Sequence, residues 1–497
     1  MKMRNKKCNH SVFGKLLILI SIFIFIPILV TPFYWNEAKY IPSFFIPFLV
    51  TFILGIIVCK VTPKKPCNNM NEYTIKDGSI TVLFIWITGF IVGAIPFVIS
   101  GQLSFIQALF ESVSGWTTTG LSVVDVTNTP NIFLFHRGFM QFCGGLGFIM
   151  FMIIFINEKE SMSLYNAEGH PDKLKPNLGN TARTIFFMYA TFLVIGTVLY
   201  IIFGMSPLDS IVHTMCALST GGFSNKPDSI GAYNSLWIEA ITIILMIIGT
   251  TNFAVLLLAI KGKVKKFMKI SEVRFMFGVI IFSVPIVAIS LFGVLYKNLG
   301  ESFRQALFNV VSALSTTGYS TVSYSKWPIF SVSVLIILML IGGGIGSTAG
   351  GIKLSRVYLT LRIMKENIKR KLVPSIYVSN EYYYRPQGKT QIDRDTKLDI
   401  LSFVITYLVI FMTGSLVLTL TAKCSLGQAM FEFASSLGTV GLSIGITGPT
   451  TNAATLIVEI IGMMMGRLEI FIVIMGIYFG IHKFKDKIIN LINVSRH

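Results

Sequence analysis

Thr117-Thr118-Thr119-Gly120-Leu121-Ser122 is the first of four short polar segments that interrupt an otherwise apolar chain. The others are Ser219-Thr220-Gly221-Gly222-Phe223-Ser224, Ser315-Thr316-Thr317-Gly318-Tyr319-Ser320 and Gly438-Thr439-Val440-Gly441-Leu442-Ser443. All four fit Thr-x-Gly-apolar-Ser, with the Thr, Gly and Ser in register. Their glycines are separated by 102, 96 and 123 residues (222−120, 318−222, 441−318), so the repeating unit is a whole group of structural elements. One such hexamer is ordinary loop composition. Four in register, each between two long apolar segments, indicate a fourfold internal repeat whose loops meet around one axis.

The chain has 53% apolar and 13% charged residues and a mean hydropathy of +0.70, outside the range of ordinary soluble domains. The net charge of +19 does not indicate nucleic acid, because the Lys and Arg residues border apolar segments instead of forming one patch. The six cysteines (Cys8, Cys59, Cys67, Cys143, Cys216, Cys424) show neither disulfide rhythm nor metal-ligand spacing. Leu16–Val30 follows a basic N-terminus, but bulky Thr31-Pro32-Phe33-Tyr34-Trp35 offers no small-residue cleavage site, so a retained span is expected.

Segments near the roughly 20-residue length that crosses a bilayer are expected at about 16–31, 44–59, 80–100, 132–156, 184–204, 235–260, 275–296, 329–361, 398–421 and 452–481. This is a leading hairpin followed by four pairs, each pair enclosing one polar hexamer. The expected fold class is an all-α polytopic membrane protein with four pseudo-symmetric span–pore-helix–span repeats. The expected divisions are 1–76 for the hairpin, then repeats at 77–160, 161–270, 271–375 and 376–497. Clusters such as Lys261, Lys263, Lys265, Lys266 and Lys269, or Lys365, Lys369, Arg370 and Lys371, occupy alternate loops. Opposite loops carry only Lys39, Arg137, Lys226, Lys297, Arg304, Lys326 and Lys423. The positive-inside rule then places both termini in the cytoplasm and all four hexamers on the outer side of the cell membrane. Phe105–Ser114, Pro207–Leu218, Ser302–Leu314 and Leu426–Ser436 are too short to span. They read as re-entrant helices whose irregular loops line protein or water.

Such loops suit a bare cation. Backbone carbonyls replace an ion's water without a fixed charge, Gly permits the required dihedrals, and four helix C-termini aimed at an axis favour positive charge. Two further features lie below them. Six glycines crowd Gly342-Gly343-Gly344-Ile345-Gly346-Ser347-Thr348-Ala349-Gly350-Gly351 and are expected to break a helix at mid-membrane. Ile352 after Gly351 excludes a Walker A loop, and no βαβ unit supports a dinucleotide site. Arg467 lies inside the last apolar segment, costly there and by default functional. Glu469, two residues on, falls on another helix face. Glu111, Glu432 and Asp125 are candidates to concentrate cations at the mouth or to serve as satisfied structural carboxylates. His213 reads as a packed histidine, and Gln141–Gly147 as close helix packing.

These motifs resemble the potassium-translocating subunits of the Trk/Ktr/HKT superfamily, over nearly all of the chain from about residue 80. The leading hairpin is closest to the Trk branch, with its pore-forming TrkH-like subunit. The resemblance implies a potassium-binding selectivity filter formed by Thr118, Thr119, Gly120, Thr220, Gly221, Gly222, Thr316, Thr317, Gly318, Thr439, Val440 and Gly441. Gly at all four filter positions implies potassium over sodium. It also implies an intramembrane gate formed by Gly342, Gly343, Gly344, Gly346, Ser347, Thr348, Ala349, Gly350 and Gly351, with Arg467 beside it. A homodimer follows by the same resemblance, as does a separate cytosolic nucleotide-binding ring of the TrkA type. No cofactor is expected in this chain, potassium being the transported ligand. A coupled cation symporter using the same pore is the alternative. An enzyme is not expected, because the six His residues are scattered and no nucleophile–base spacing occurs.

Overall fold

Among the described residues, long apolar runs produce six unbroken helices able to cross a membrane: Val12–Phe33, Trp35–Val61, Ser79–Ile99, Asn180–Ile202, Ser271–Leu291 and Arg394–Ala422. The computed structural model describes residues 7–8, 12–62, 65–66, 75–147, 178–372, 382–468 and 470–494. These fall into two compact units, one drawn from Met1–Ser104, Gly147–Thr184 and Leu468–His497 and the other from Phe105–Leu146 and Ile185–Arg467.

In the first unit, Val12–Phe25 and Ile41–Val61 pack as a hairpin. They approach closely because Gly55 leaves room for Ile18 and the Gly14 backbone. Ile470–Val494 lies along Ile75–Ile99.

The second unit contains the four hexamers. A short helix precedes each: Phe105–Trp116, Pro207–Leu218, Leu299–Leu314 and Leu426–Leu437. Three of the four starts are capped locally. Ser206 accepts from the Asp209 N–H ahead of Pro207, Asn298 accepts from the Gly300 N–H, and Ser425 with Gln428 forms a reciprocal capping box. Outward faces remain apolar, as at Ile281 and Phe282, each 72% exposed, which suits hydrocarbon rather than water.

The ten continuous spans expected from hydropathy are not all continuous. In the second repeat Leu236–Thr250 and Phe253–Ile260 meet at 119°, although no Pro or Gly lies between them. Asn252 makes the corner by accepting from the Ala254 N–H at 2.6 Å, capping the second half. The expected span 329–361 is a helix only over Ile329–Leu340, and the chain becomes helical again at Leu354–Leu372. The glycine-rich stretch lies between them, as its composition predicts. Of the expected span 132–156, Asn131–Leu146 is helical and the remainder beyond residue 147 lies outside the described residues, as does Glu469. Sequence reading also missed an antiparallel hairpin, Tyr382–Arg385 with Gly388–Gln391. Tyr383 and Ile392 there cluster with Leu359 and Ile400, against the helix that follows the glycine-rich stretch.

Candidate functional site

All four short helices end in the same way. In the first loop the Thr118 N–H donates to Gly115 O (3.0 Å) and the Thr119 N–H to Ser114 O (2.9 Å). The same pair recurs as Thr220 to Ala217 with Gly221 to Cys216, Thr316 to Ala313 with Thr317 to Ser312, and Thr439 to Ser436 with Val440 to Ser435. This is the Schellman ending, which needs a left-handed residue just past the helix and usually takes Gly there. Here that residue is Thr every time, with φ of 55°, 52°, 54° and 49° at Thr118, Thr220, Thr316 and Thr439. A β-branched residue in this region costs about 1–2 kcal/mol, and such strain persists where the surroundings over-determine it, often at functional sites.

The hexamer glycines are also left-handed, with φ of 93°, 73°, 81° and 99° at Gly120, Gly222, Gly318 and Gly441. Their neighbours establish the arrangement. A Cβ on Gly120 would be driven onto the Gly221 carbonyl oxygen, and one on Gly222 onto Thr317 O. One on Gly318 would strike Val440 O, and one on Gly441 would strike Thr119 O, which returns to the first loop. The four loops therefore close into a ring in chain order. Above it opens a cavity of about 630 Å³ lined by Gly120, Gly222, Gly318 and Gly441. Asp125 also lines this cavity, and donation from Thr127, then Asn128, holds its carboxyl below the usual carboxylate range.

The Thr hydroxyls divide by position. Thr119 and Thr317 pair with Thr117 (2.8 Å) and Ser315 (2.7 Å) inside their own loops. Thr220 Oγ1 meets Thr348 Oγ1 at 3.1 Å, and Thr316 Oγ1 accepts from the Gly350 N–H at 3.0 Å. Thr118 and Thr439 hydroxyls are buried with no hydrogen-bond partner, which leaves oxygens available to a desolvated cation.

The glycine-rich stretch therefore lies directly under the ring. The Gly344 N–H donates to Thr250 O (2.9 Å), and the single Thr348 hydroxyl proton is shared between Leu218 O (3.0 Å) and Gly249 O (2.9 Å). The carbonyls freed by the 119° corner are thus satisfied by this loop, the condition for irregular backbone at membrane depth. Gly342 pairs with Ile352, whose N–H returns to Leu340 O, while Gly343, Gly346, Ser347, Ala349 and Gly351 complete the turn. Arg467 donates to Thr348 O and to Gly144 O (2.6 Å) and Gly145 O (3.1 Å), tying the loop to the first repeat.

A family model described as "TrkH: Cation transport protein" matches residues 46–480. The chain belongs to the TrkH family. Among its relatives, the Trk system potassium uptake protein TrkG of Escherichia coli is 30% identical, with 93% of this chain and 95% of the relative covered. An uncharacterised cation transporter of Methanocaldococcus jannaschii is 28% identical, with 92% of each covered. The crystal structure of the potassium transporter TrkH from Vibrio parahaemolyticus superposes with a TM-score of 0.82 at 27% identity, covering 93% of this chain and 97% of that one. This TrkH-family chain is therefore a multi-pass, mostly helical transport protein, from a family of transporters rather than enzymes.

Sequence reading missed a second fourfold position. Glu111, His213, Asn309 and Glu432 each lie nine residues before the hexamer glycine (120−111, 222−213, 318−309, 441−432), and all are fully buried. Each braces the limb that follows the glycine in its loop: Glu111 and Ser122 at 3.0 Å, His213 and Ser224 at 3.0 Å, Asn309 and Thr321 at 3.1 Å, Glu432 and Ser443 at 2.6 Å. Glu111 and Glu432 thus support the loops from behind, and of the three candidate mouth carboxylates Asp125 is the one that lines the cavity. Arg137, read as an outer-loop cation, is instead buried in Asn131–Leu146 and pairs with Glu111 at 2.6 Å. Gln141, read from the sequence as part of a close helix packing stretch, also bonds the second loop. Its Nε2 donates to Gly221 O at 2.6 Å and its Oε1 accepts from the Phe223 N–H at 3.1 Å, so one ring carbonyl is shared with a side chain. Gln141→Leu is expected to lose both bonds, about 1–3 kcal/mol in all, and to lower the thermal midpoint by several degrees with a fall in flux. An unchanged midpoint would contradict the bracing.

Proposed function

We propose that the chain takes up potassium across the cell membrane through a channel-like pore. Selection occurs at the ring formed by Thr118–Gly120, Thr220–Gly222, Thr316–Gly318 and Thr439–Gly441, and passage is controlled by Gly342–Gly351 with Arg467. The observation that carries this reading is the closed cycle of glycine against carbonyl, one joint per loop, beneath an open cavity and above a glycine-rich loop. It is supported by potassium uptake in the names of its relatives and by the buried, unpartnered hydroxyls of Thr118 and Thr439. Carbonyl and hydroxyl oxygens at a water-excluded constriction replace an ion's hydration shell. Arg467 adds a positive charge below it, which raises the barrier to a cation until the loop moves.

The charge asymmetry of the loops supports cytoplasmic termini and an inner face rich in Lys and Arg. On that face we place a separate nucleotide-binding ring of the TrkA type, acting through the helix that follows the gate stretch. The chain works as a homodimer. The test is cation flux into proteoliposomes holding the purified protein with and without such a partner. Potassium flux exceeding sodium flux, driven by the potassium gradient alone, is expected. Flux that requires an imposed proton or sodium gradient would replace the channel reading with a symporter, and no potassium-selective flux under any condition would remove the filter assignment.

A further inference from the structure

The first and fourth repeats place a carboxylate at the same bracing position, and the helices opposite answer it differently. The seventh residue of Asn131–Leu146 is Arg137, which neutralises Glu111. The seventh residue of Ala453–Arg467 is Glu459, so the fourth repeat sets a carboxylate where the first sets a guanidinium. Glu432 and Glu459 are both 0% exposed. They converge on Thr447, whose N–H donates to Glu432 Oε1 at 3.0 Å and whose hydroxyl donates to Glu459 Oε1 at 2.8 Å. Ser443 Oγ also donates to Glu432 Oε1 (2.6 Å), and the Ile444 N–H to Glu432 Oε2 (3.1 Å). Glu459 Oε2 is buried with no hydrogen-bond partner. Among the described residues, neither carboxylate belongs to an ion pair.

We propose that Glu432 and Glu459 form a proton-binding site behind the fourth loop, holding one proton between them, on Glu459 Oε2, at neutral pH. Two buried carboxylates meeting at one threonine cannot both ionise without a large cost, and a shared proton removes it. Three of the four oxygens already accept from protein donors, leaving one to carry the proton. A hard metal cation needs six or more oxygens, and among the described residues no group of three or more His, Cys, Asp or Glu is placed to supply a metal site.

The surrounding groups do not supply a counter-charge. Just ahead of the fourth pore helix, Lys423 is exposed and Cys424 half-buried, and among the described residues Lys423 is in no ion pair with either carboxylate. Tyr324 reaches this region from the third repeat, its ring 5.5 Å from Phe431, and its hydroxyl is committed to Asn309. Glu111, on the first pore helix, is already held by Arg137. Ile329–Leu340 has no titratable residue; in Arg394–Ala422 Arg394, Asp395, Lys397 and Asp399 all sit at the far end, and the buried Tyr407, whose hydroxyl has no hydrogen-bond partner, carries no positive charge. Arg467 is eight residues further along the same helix as Glu459, about 12 Å away, and bonded to carbonyls.

Ionisation releases the proton to solvent and leaves two negative charges on the carboxylates that share Thr447, beside the limb that continues from Gly441. A group that holds its proton more tightly folded than unfolded stabilises the fold at low pH and loses that contribution as pH rises through its folded titration. The full-length protein in detergent or nanodiscs is therefore expected to show the infrared carbonyl stretch of a protonated buried carboxylic acid at neutral pH. That band should disappear on alkaline titration, as the thermal midpoint falls. Glu459→Gln should lack the band and flatten the fall, and Glu432→Gln provides a second isosteric probe. Absence of the band in the wild-type protein, or its survival in both variants, overturns the proposal. A midpoint that instead rises with added sodium or potassium in wild type, but not in Glu459→Gln, assigns the site to a metal cation and overturns it equally. None of these readouts depends on transport, so failure here leaves the potassium reading standing.

Discussion

Gly120→Ser is expected to lower the potassium-to-sodium flux ratio by about tenfold, equivalent to 1.4 kcal/mol of discrimination. The argument rests on one joint. Gly120 has a φ of 93°, so any side chain incurs about 1–2 kcal/mol of left-handed strain, and its Cβ meets the Gly221 carbonyl oxygen. That oxygen cannot yield freely, because Gln141 holds it. Relief must come from the backbone of the first or second loop, which shifts ring carbonyls away from the geometry that, in the proposed filter, replaces water around the larger ion. Parallel flux assays in proteoliposomes measure the ratio directly. An unchanged ratio with normal folding would mean that the first joint does not face the ion.

The second large effect is expected at Arg467. Its guanidinium donates to Thr348, Gly144 and Gly145 carbonyls, and a net contribution of about 1.5–3 kcal/mol is typical of a bond to a charged group. Arg467→Ala removes these ties and the positive charge from the proposed path. Potassium flux in the absence of any regulatory partner should rise by on the order of tenfold. Deleting Gly346–Gly350 should act in the same direction, since these residues lie under the threonine hydroxyls. If both variants pass potassium at the wild-type rate, the stretch is a packing element and not a barrier.

The ring was legible because its three defining residues repeat by type. The left-handed threonines were not, because the usual rule for a helix ending expects Gly at that place, and Thr118, Thr220, Thr316 and Thr439 break it together. The bracing position was hidden for the opposite reason: Glu111, His213, Asn309 and Glu432 share a role but span three residue types, and only their distance from the glycine unites all four. The corner at Thr251–Asn252 left no trace in hydropathy, since a capping Asn within an apolar run does not interrupt it. By contrast, the break at Gly342–Gly351 was plain from six glycines. A lone Arg467 announced itself as costly, but its Gly144 and Gly145 partners lie 323 and 322 residues away and only the fold brings them together. Arg137 shows the limit of charge counting: a basic residue on the expected outer side was a buried partner of Glu111.

A ring assembled from identical subunits multiplies every substitution by the number of copies, so its selectivity can be altered only in lockstep. Here the four joints are written separately in one chain, each glycine leaning on a different neighbour: Gly221, Thr317, Val440 or Thr119. Mutation, natural or deliberate, therefore reaches the circle one quadrant at a time. Four single variants and their combinations form a graded series in which the contribution of each quarter, and any cooperation between adjacent or opposite quarters, can be read from the same polypeptide.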